Sequence, residues 1–254
     1  MISIKTAEDI EKMRVSGQIV AQVLSGLQKM IAPGVTTGDL NAYAEEECRI
    51  RGAIPVFKNY PNFITGRPFP GSICASINEE VVHGIPGPRK LKEGDLISID
   101  FGVLVDGFAG DSAITVAVGE VDPMVAKLIQ VTEEALLKGI KQALPGRRLG
   151  VVSNAIQNHA EKAGFSVVRD FVGHGIGREM HEDPSVPNYG RPDRGPVLKT
   201  GMALAIEPMV NLGTYHVYTR MDEWTVATRD GKPSAHFEHT IVIHDNGPEI
   251  LTLR

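Results

Sequence analysis

The chain repeats itself, and that repetition limits the folds open to it more than any other feature. Pro33-Gly34 and Gly52 recur as Pro145-Gly146 and Gly164, both at an offset of 112 residues. Each Pro-Gly closes a stretch of helical periodicity. Each later Gly stands where a helix C-cap favours a residue free to adopt positive φ. The spacing predicts two helix pairs, over roughly 7–31 with 37–51 and over roughly 123–144 with 149–163. His83-Gly84-Ile85 recurs as His174-Gly175-Ile176, and Leu91-Lys92-Glu93-Gly94 as Leu198-Lys199-Thr200-Gly201. Asp100 then falls opposite Glu207, and Asp111 opposite Glu238. The order predicts an α+β fold in which a unit of two helices and antiparallel strands occurs twice. The halves run over about 1–120 and 121–254. No low-complexity linker parts them, so a single domain over 1–254 with one shared sheet and core is expected.

Composition excludes several classes. With 42% hydrophobic and 22% charged residues, the 254-residue chain is neither disordered nor fibrous. A net charge of -5 offers no global attraction for nucleic acid, so no sequence-specific nucleic-acid partner is expected. Two cysteines, Cys48 and Cys74, can build neither a disulfide framework nor a multi-cysteine zinc site. The opening MISIKTAEDIEKMR lacks the apolar core of a signal peptide, and no apolar run is long enough to span a membrane. A soluble, cytoplasmic protein is expected.

The carboxylates carry the chemistry. Residues 95–116 read as a hairpin turning at Asp106-Gly107, a strong two-residue turn signal. In that register residue 100 opposes 113 and residue 102 opposes 111, so Asp100 and Asp111 share a face on neighbouring strands. Alternation through Met202–Glu207 puts Ala203, Ala205 and Glu207 on one face. A second hairpin is expected between 224–228 and 234–243 around Asp230-Gly231, with His236, Glu238 and Thr240 sharing a face. Taken singly, each carboxylate reads best as a solvated strand face. Taken together, four acids in apolar strand context, with no Lys or Arg at matching positions, ask for cations to neutralise them. Oxygen donors plus imidazole suit Mn(II), Fe(II), Co(II) or catalytic Zn(II). Four carboxylates suit two ions with shared ligands.

Among the eight histidines, His174 lies in Gly173-His174-Gly175, where glycines allow close backbone approach, and is the candidate ligand. His83, its repeat mate, either binds metal or serves the substrate. His181 lies seven residues after His174 on an expected loop, placed to carry a proton or donate to an oxyanion. His159, His216, His236, His239 and His244 have weaker claims.

These residues, in this order, resemble the type I methionine aminopeptidases among the pita-bread metallopeptidases. The resemblance spans nearly the whole chain. It is carried by Ser76-Ile77-Asn78-Glu79, Val82-His83-Gly84-Ile85-Pro86, Gly94-Asp95 through Ile99-Asp100, Gly110-Asp111, Gly173–Gly177, Ala205-Ile206-Glu207-Pro208 and Glu238-His239-Thr240. It implies the pita-bread fold, a curved antiparallel sheet backed by helices. It also implies two divalent ions held by Asp100, Asp111, His174, Glu207 and Glu238, with Asp111 and Glu238 bridging. His83 and His181 would contact substrate, and Glu207 would act as general base. Cys74, Phe69 and Trp224 would line an apolar slot for methionine. The implied reaction is removal of the initiator methionine from nascent polypeptides whose second residue is small. Action near the ribosomal exit and a monomeric state go with it.

Two subtypes fit less well. Only 33 residues separate His174 from Glu207, too few for the type II helical insert. The chain also starts almost directly at the repeated unit, unlike Xaa-Pro peptidases, which carry a separate N-terminal domain. The stretch 57–69 is longer than the common type I loop, Phe69 stands where Tyr is common, and Met180 stands where Phe is also found. A Xaa-Pro dipeptidase and a non-catalytic module holding peptides or RNA are the alternatives.

Overall fold

The structure, a computed structural model, describes residues 1–62 and 64–253. Phe63, within the long 57–69 stretch, lies outside the described residues. The helices form where the repeat predicts them: α1 (Ala7–Met30), α2 (Thr37–Arg51), α3 (Pro123–Ile140) and α4 (Gly150–Lys162). Thr6 and Thr36 cap α1 and α2. Each accepts from the backbone N–H three residues on, and Asp9 and Asp39 accept in return. This reciprocal bonding satisfies N–H groups that a helix start leaves orphaned. Helix α2 ends at Gly52, with φ 64°. Helix α3 stops short of the expected residue 144. Gln142 N–H already bonds Gly139 O, and Leu144 N–H bonds Gln142 O, as the chain turns into Pro145.

The first half supplies β1 (Ile54–Pro55), β2 (Cys74–Ile77), β3 (Glu80–Val82), β4 (Leu96–Val105) and β5 (Phe108–Ala117). The second half supplies β6 (Ser166–Val167), β7 (Gly173–Gly175), β8 (Glu182–Val186), β9 (Ala203–Ile206) and β10 (Met209–Asn211). It continues through β11 (Val217–Thr219), β12 (Val226–Thr228), β13 (Ser234–His236), β14 (Glu238–His244) and β15 (Gly247–Ile250). A nine-stranded sheet follows the order β1-β4-β5-β14-β9-β7-β8, with β2 also on β4 and β15 also on β14. The two halves meet where β5 pairs β14, Glu238 opposite Ala113 and His239 opposite Ser112.

The β4–β5 hairpin has the expected register: Asp100 opposes Ala113 and Gly102 opposes Asp111. Its turn residues Asp106 and Gly107 both have positive φ, 49° and 75°, the backbone that a twisted two-residue hairpin needs. The expected hairpin between 224–228 and 234–243 does not form. Both edges of β12 are already taken, by β11 and β3. The 234–243 segment also breaks at Phe237, whose N–H bonds Pro208 O, so β13 pairs β10 while β14 pairs β5 and β9.

Strand alternation sorts the sheet into two faces. Ile97, Ile99, Phe101 and Val103 of β4, Ile114 of β5, Leu204 and Ile206 of β9, and Ile241 and Ile243 of β14 pack with all four helices in the main core. The opposite parity, which holds Asp100, Asp111, Glu207 and Glu238, is therefore turned away from the helices. Burial of one face thus fixes where every acid points.

Candidate active site

One pocket collects every residue singled out from the sequence. Asp100, Asp111, His174, Glu207 and Glu238 line it together with His83, His181, Cys74, Phe69 and Trp224. Phe57, Tyr60 and Met180 complete the lining. One end is acidic and the other aromatic.

The acidic end is built by the sheet. Ligand atoms of Asp111, His174 and Glu238 lie within 4.8 Å of one another, all three residues buried. Glu207, just past β9, brings Oε1 to 3.5 Å from His174 Nε2. Asp100 lies on β4, the strand paired with the β5 strand of Asp111, and lines the same pocket. Thr240 holds β5 against β14 at this point: it accepts from Asp111 N–H at 3.1 Å and donates to Asp111 O at 2.8 Å. His174 reaches in because its flanking residues lack side chains. A Cβ on Gly173 would collide with Ala205 O, and one on Gly175 with Asp183 O.

The electrostatics of this end are those of a cation site. Asp100 Oδ1, Asp111 Oδ1 and Glu238 Oε1 are buried with no hydrogen-bond partner among the described residues. Burial, reinforced by mutual repulsion, pushes the carboxyls of Asp100, Glu207 and Glu238 well above the ordinary carboxylate range. Burial also raises Asp111 to about 7. Without a cation, these acids must keep protons. His174 settles the question of polarity. Its Nδ1–H donates to Gly175 O at 2.9 Å, which leaves a lone pair on Nε2. Burial lowers its pKa to about 3, so the ring is neutral at pH 7. That lone pair faces Glu207 Oε1 at 3.5 Å and Asp111 Oδ2 at 4.0 Å. With the acids protonated, a carboxyl O–H can face this lone pair; with the acids ionised, acceptors facing acceptors at these distances are favourable only around a positive ion. The donor set of oxygens and one imidazole therefore fits divalent cations.

His181 and His83 face the acidic end from the walls. His181 Nδ1 lies 2.7 Å from the Tyr60 hydroxyl, and its ring stands edge-on to His174 with centroids 4.4 Å apart. His83 has φ 59°, a backbone conformation rare for a side-chain-bearing residue, and stands edge-on to Phe171 and Trp224. Burial lowers the pKa of His181, and lowers that of His83 to about 4, so both rings are neutral at pH 7.

Matches to proteins of known family agree with this geometry. The model of "Metallopeptidase family M24" matches residues 11–245. The chain belongs to metallopeptidase family M24. This M24 chain is 55% identical to a methionine aminopeptidase of Clostridium acetobutylicum over 254 residues, covering 100% of the chain and 99% of the relative. Its structure is similar to the crystal structure of methionine aminopeptidase from Rickettsia prowazekii, with TM-score 0.96, 46% identity and full coverage of both chains. A Xaa-Pro dipeptidase from Bacillus anthracis shares the fold at TM-score 0.74 and 22% identity, and the M24 chain spans 61% of it. The pita-bread expectation is thereby met: an antiparallel sheet backed by four helices.

Sequence reading under-weighted two groups. His236, ranked low among the histidines, is buried with Nε2 3.7 Å from Glu207 Oε2. Its place two residues before Glu238 on an alternating strand was the signal for it. Tyr60 and Phe57 belong to the long 57–69 stretch, where no periodicity announces which side chains turn inward. At the aromatic end Phe69 meets Trp224 edge-on, with ring centroids 5.2 Å apart. Burial pushes the Cys74 thiol well above its usual range, so it is an apolar wall and not a thiolate donor.

Proposed function

We propose that this M24 chain removes N-terminal methionine from peptides whose second residue is small. The observation that carries the reading is the convergence of two buried acids, Asp111 and Glu238, two half-buried ones, Asp100 and Glu207, and a neutral imidazole beside an aromatic slot. Asp100, Asp111, His174, Glu207 and Glu238 would hold two divalent cations. Such ions, when bound, lower the pKa of water and polarise a carbonyl oxygen.

The chain's own groups do the rest. Phe69, Cys74 and Trp224 receive the methionine side chain, whose unbranched thioether packs well against aromatic edges. His83 holds the scissile amide. The Tyr60 hydroxyl lies 2.7 Å from His181 Nδ1; in the proposed role this hydroxyl is the donor, so that the ring proton sits on Nε2 and can be given to the developing oxyanion. Glu207 takes the proton of the attacking water and returns it to the leaving amine, so that the C–N bond breaks as water adds across it. A small second residue is the preference proposed for a pocket whose lining includes the rings of Tyr60, His83 and His181. The substrates in the cell are nascent chains at the ribosome, and the protein works as a cytoplasmic monomer.

Hydrolysis of Met-Ala-Ser with Mn(II), Co(II), Fe(II) or Zn(II) tests the reading, with Met-Leu-Ser and Ala-Pro as comparisons. Turnover of Met-Ala-Ser alone is expected, and its loss in folded His174→Ala. Preference for Ala-Pro, or no turnover with any of these ions, would refute it.

A further inference from the structure

We propose that Lys5 is a positioning residue for His181, acting through the Glu182 carboxylate. The inference rests on the reading that His181 donates to the substrate, and extends it to residues outside the pocket. Lysine is rarely buried without a purpose. The Lys5 side chain is 6% exposed, and its Nζ contacts Glu182 Oε2 at 2.6 Å. The Ser3 hydroxyl donates to the same oxygen at 2.6 Å and also contacts Lys5 Nζ. The other oxygen, Oε1, faces the backbone of residues 178–179. It accepts the backbone N–H of Arg178 at 2.8 Å and of Glu179 at 3.3 Å.

Those two N–H groups belong to the turn between β7 and β8, the turn that carries Met180 and His181. The Glu182 carboxylate is thus a brace inside the turn, held by the chain's opening segment. That segment is itself fixed, because Lys5 N–H bonds Gly201 O at 2.7 Å, just before β9. Strand β9 leads directly to Glu207. The Lys5–Glu182 pair therefore refers His181 to the same stretch of sheet that sets the acidic groups. The packing leaves no slack: a Cβ on Gly177 would fall 2.6 Å from Glu182 Oε1 and would collide with Lys5 Cε. A buried ion pair of this kind contributes defined geometry more than stability. Reaction rates are sensitive to displacements of a donor by an ångström or less.

The test is steady-state hydrolysis of Met-Ala-Ser by the Mn(II)-loaded full chain, with bound Mn(II) and Tm measured for each variant. Lys5→Met should lower kcat about tenfold with KM and bound Mn(II) unchanged. Lys5→Arg should restore most of it. In a His181→Ala background, Lys5→Met should change kcat by less than about twofold, because residues acting through one group are not additive. Should Lys5→Met fail to fold, Glu182→Gln supplies the same comparison, since it keeps an acceptor for the turn and removes the charge. An unchanged kcat in these variants overturns the inference. So does a tenfold loss that persists undiminished in His181→Ala, with His181→Ala itself impaired. Full kcat in His181→Ala overturns the role of His181 and this inference with it.

Discussion

Replacing Asp111, one of the proposed metal ligands, should stabilise the metal-free protein. Asp111 is buried among acids, and burial raises its pKa from 3.8 to about 7. The unfolded chain releases that proton near pH 4, whereas the folded chain holds it until about pH 7. A raised folded-state pKa means stability that is present at low pH and lost as pH rises through this window. Asp111→Asn keeps the shape and removes the titration. At pH 8 the variant is expected to exceed the wild type by roughly 4 kcal/mol, the 1.36 kcal/mol per pKa unit applied to the shift. For a chain of this size that is on the order of 10 °C in Tm. The depressed pKa values of His83, His174 and His236 bear on both proteins alike, whereas Asp100, Glu207 and Glu238 lose the repulsion of Asp111 in the variant, which acts in the same direction. Thermal melts with a chelator at pH 4, 6 and 8 check the claim: the gap should be small at pH 4 and full at pH 8. Addition of Mn(II) should reverse the order, since the wild type binds the ion with its ligands complete. Metal-free Asp111→Asn that is no more stable at pH 8, or more stable by the same amount at pH 4, would refute the reasoning.

Other outcomes follow from single contacts. Tyr60→Phe removes the hydroxyl at His181 Nδ1, and should lower kcat about tenfold with KM little changed in steady-state assays. Trp224→Ala opens the slot beside Phe69, and should raise KM for Met-Ala-Ser about tenfold while kcat stays within about twofold, the mark of lost uniform binding. Gly17→Ala places a Cβ 2.6 Å from Leu251 O, and should cost about 1–3 kcal/mol in urea melts without altering kcat.

Most of the acidic centre was legible because its signals are short-range. Asp106-Gly107 sets the hairpin register by turn geometry, and the register carries Asp100 and Asp111 to one face. Gly52 marks the end of α2 by its own backbone freedom, whereas the Thr6 and Thr36 caps at the helix starts were not read from the sequence. The aromatic end was legible through resemblance, because loops such as 57–69 have no period to read. The 230–231 turn misled for a related reason. Asp230-Gly231 does turn the chain, but partners from β3 and β11, distant in sequence, had already filled the edges of β12.

The sequence by itself determined the repeated unit, the two helix pairs, the β4–β5 register and the identity of the acids, since each follows from patterns among near neighbours. Only the tertiary structure decided that β5 pairs β14, so that acids from two halves share one dry pocket. It alone also placed Tyr60 on His181 and Lys5 on Glu182. Such contacts join residues more than a hundred positions apart. They form because the core closes over both halves at once, and no local pattern along the chain encodes that.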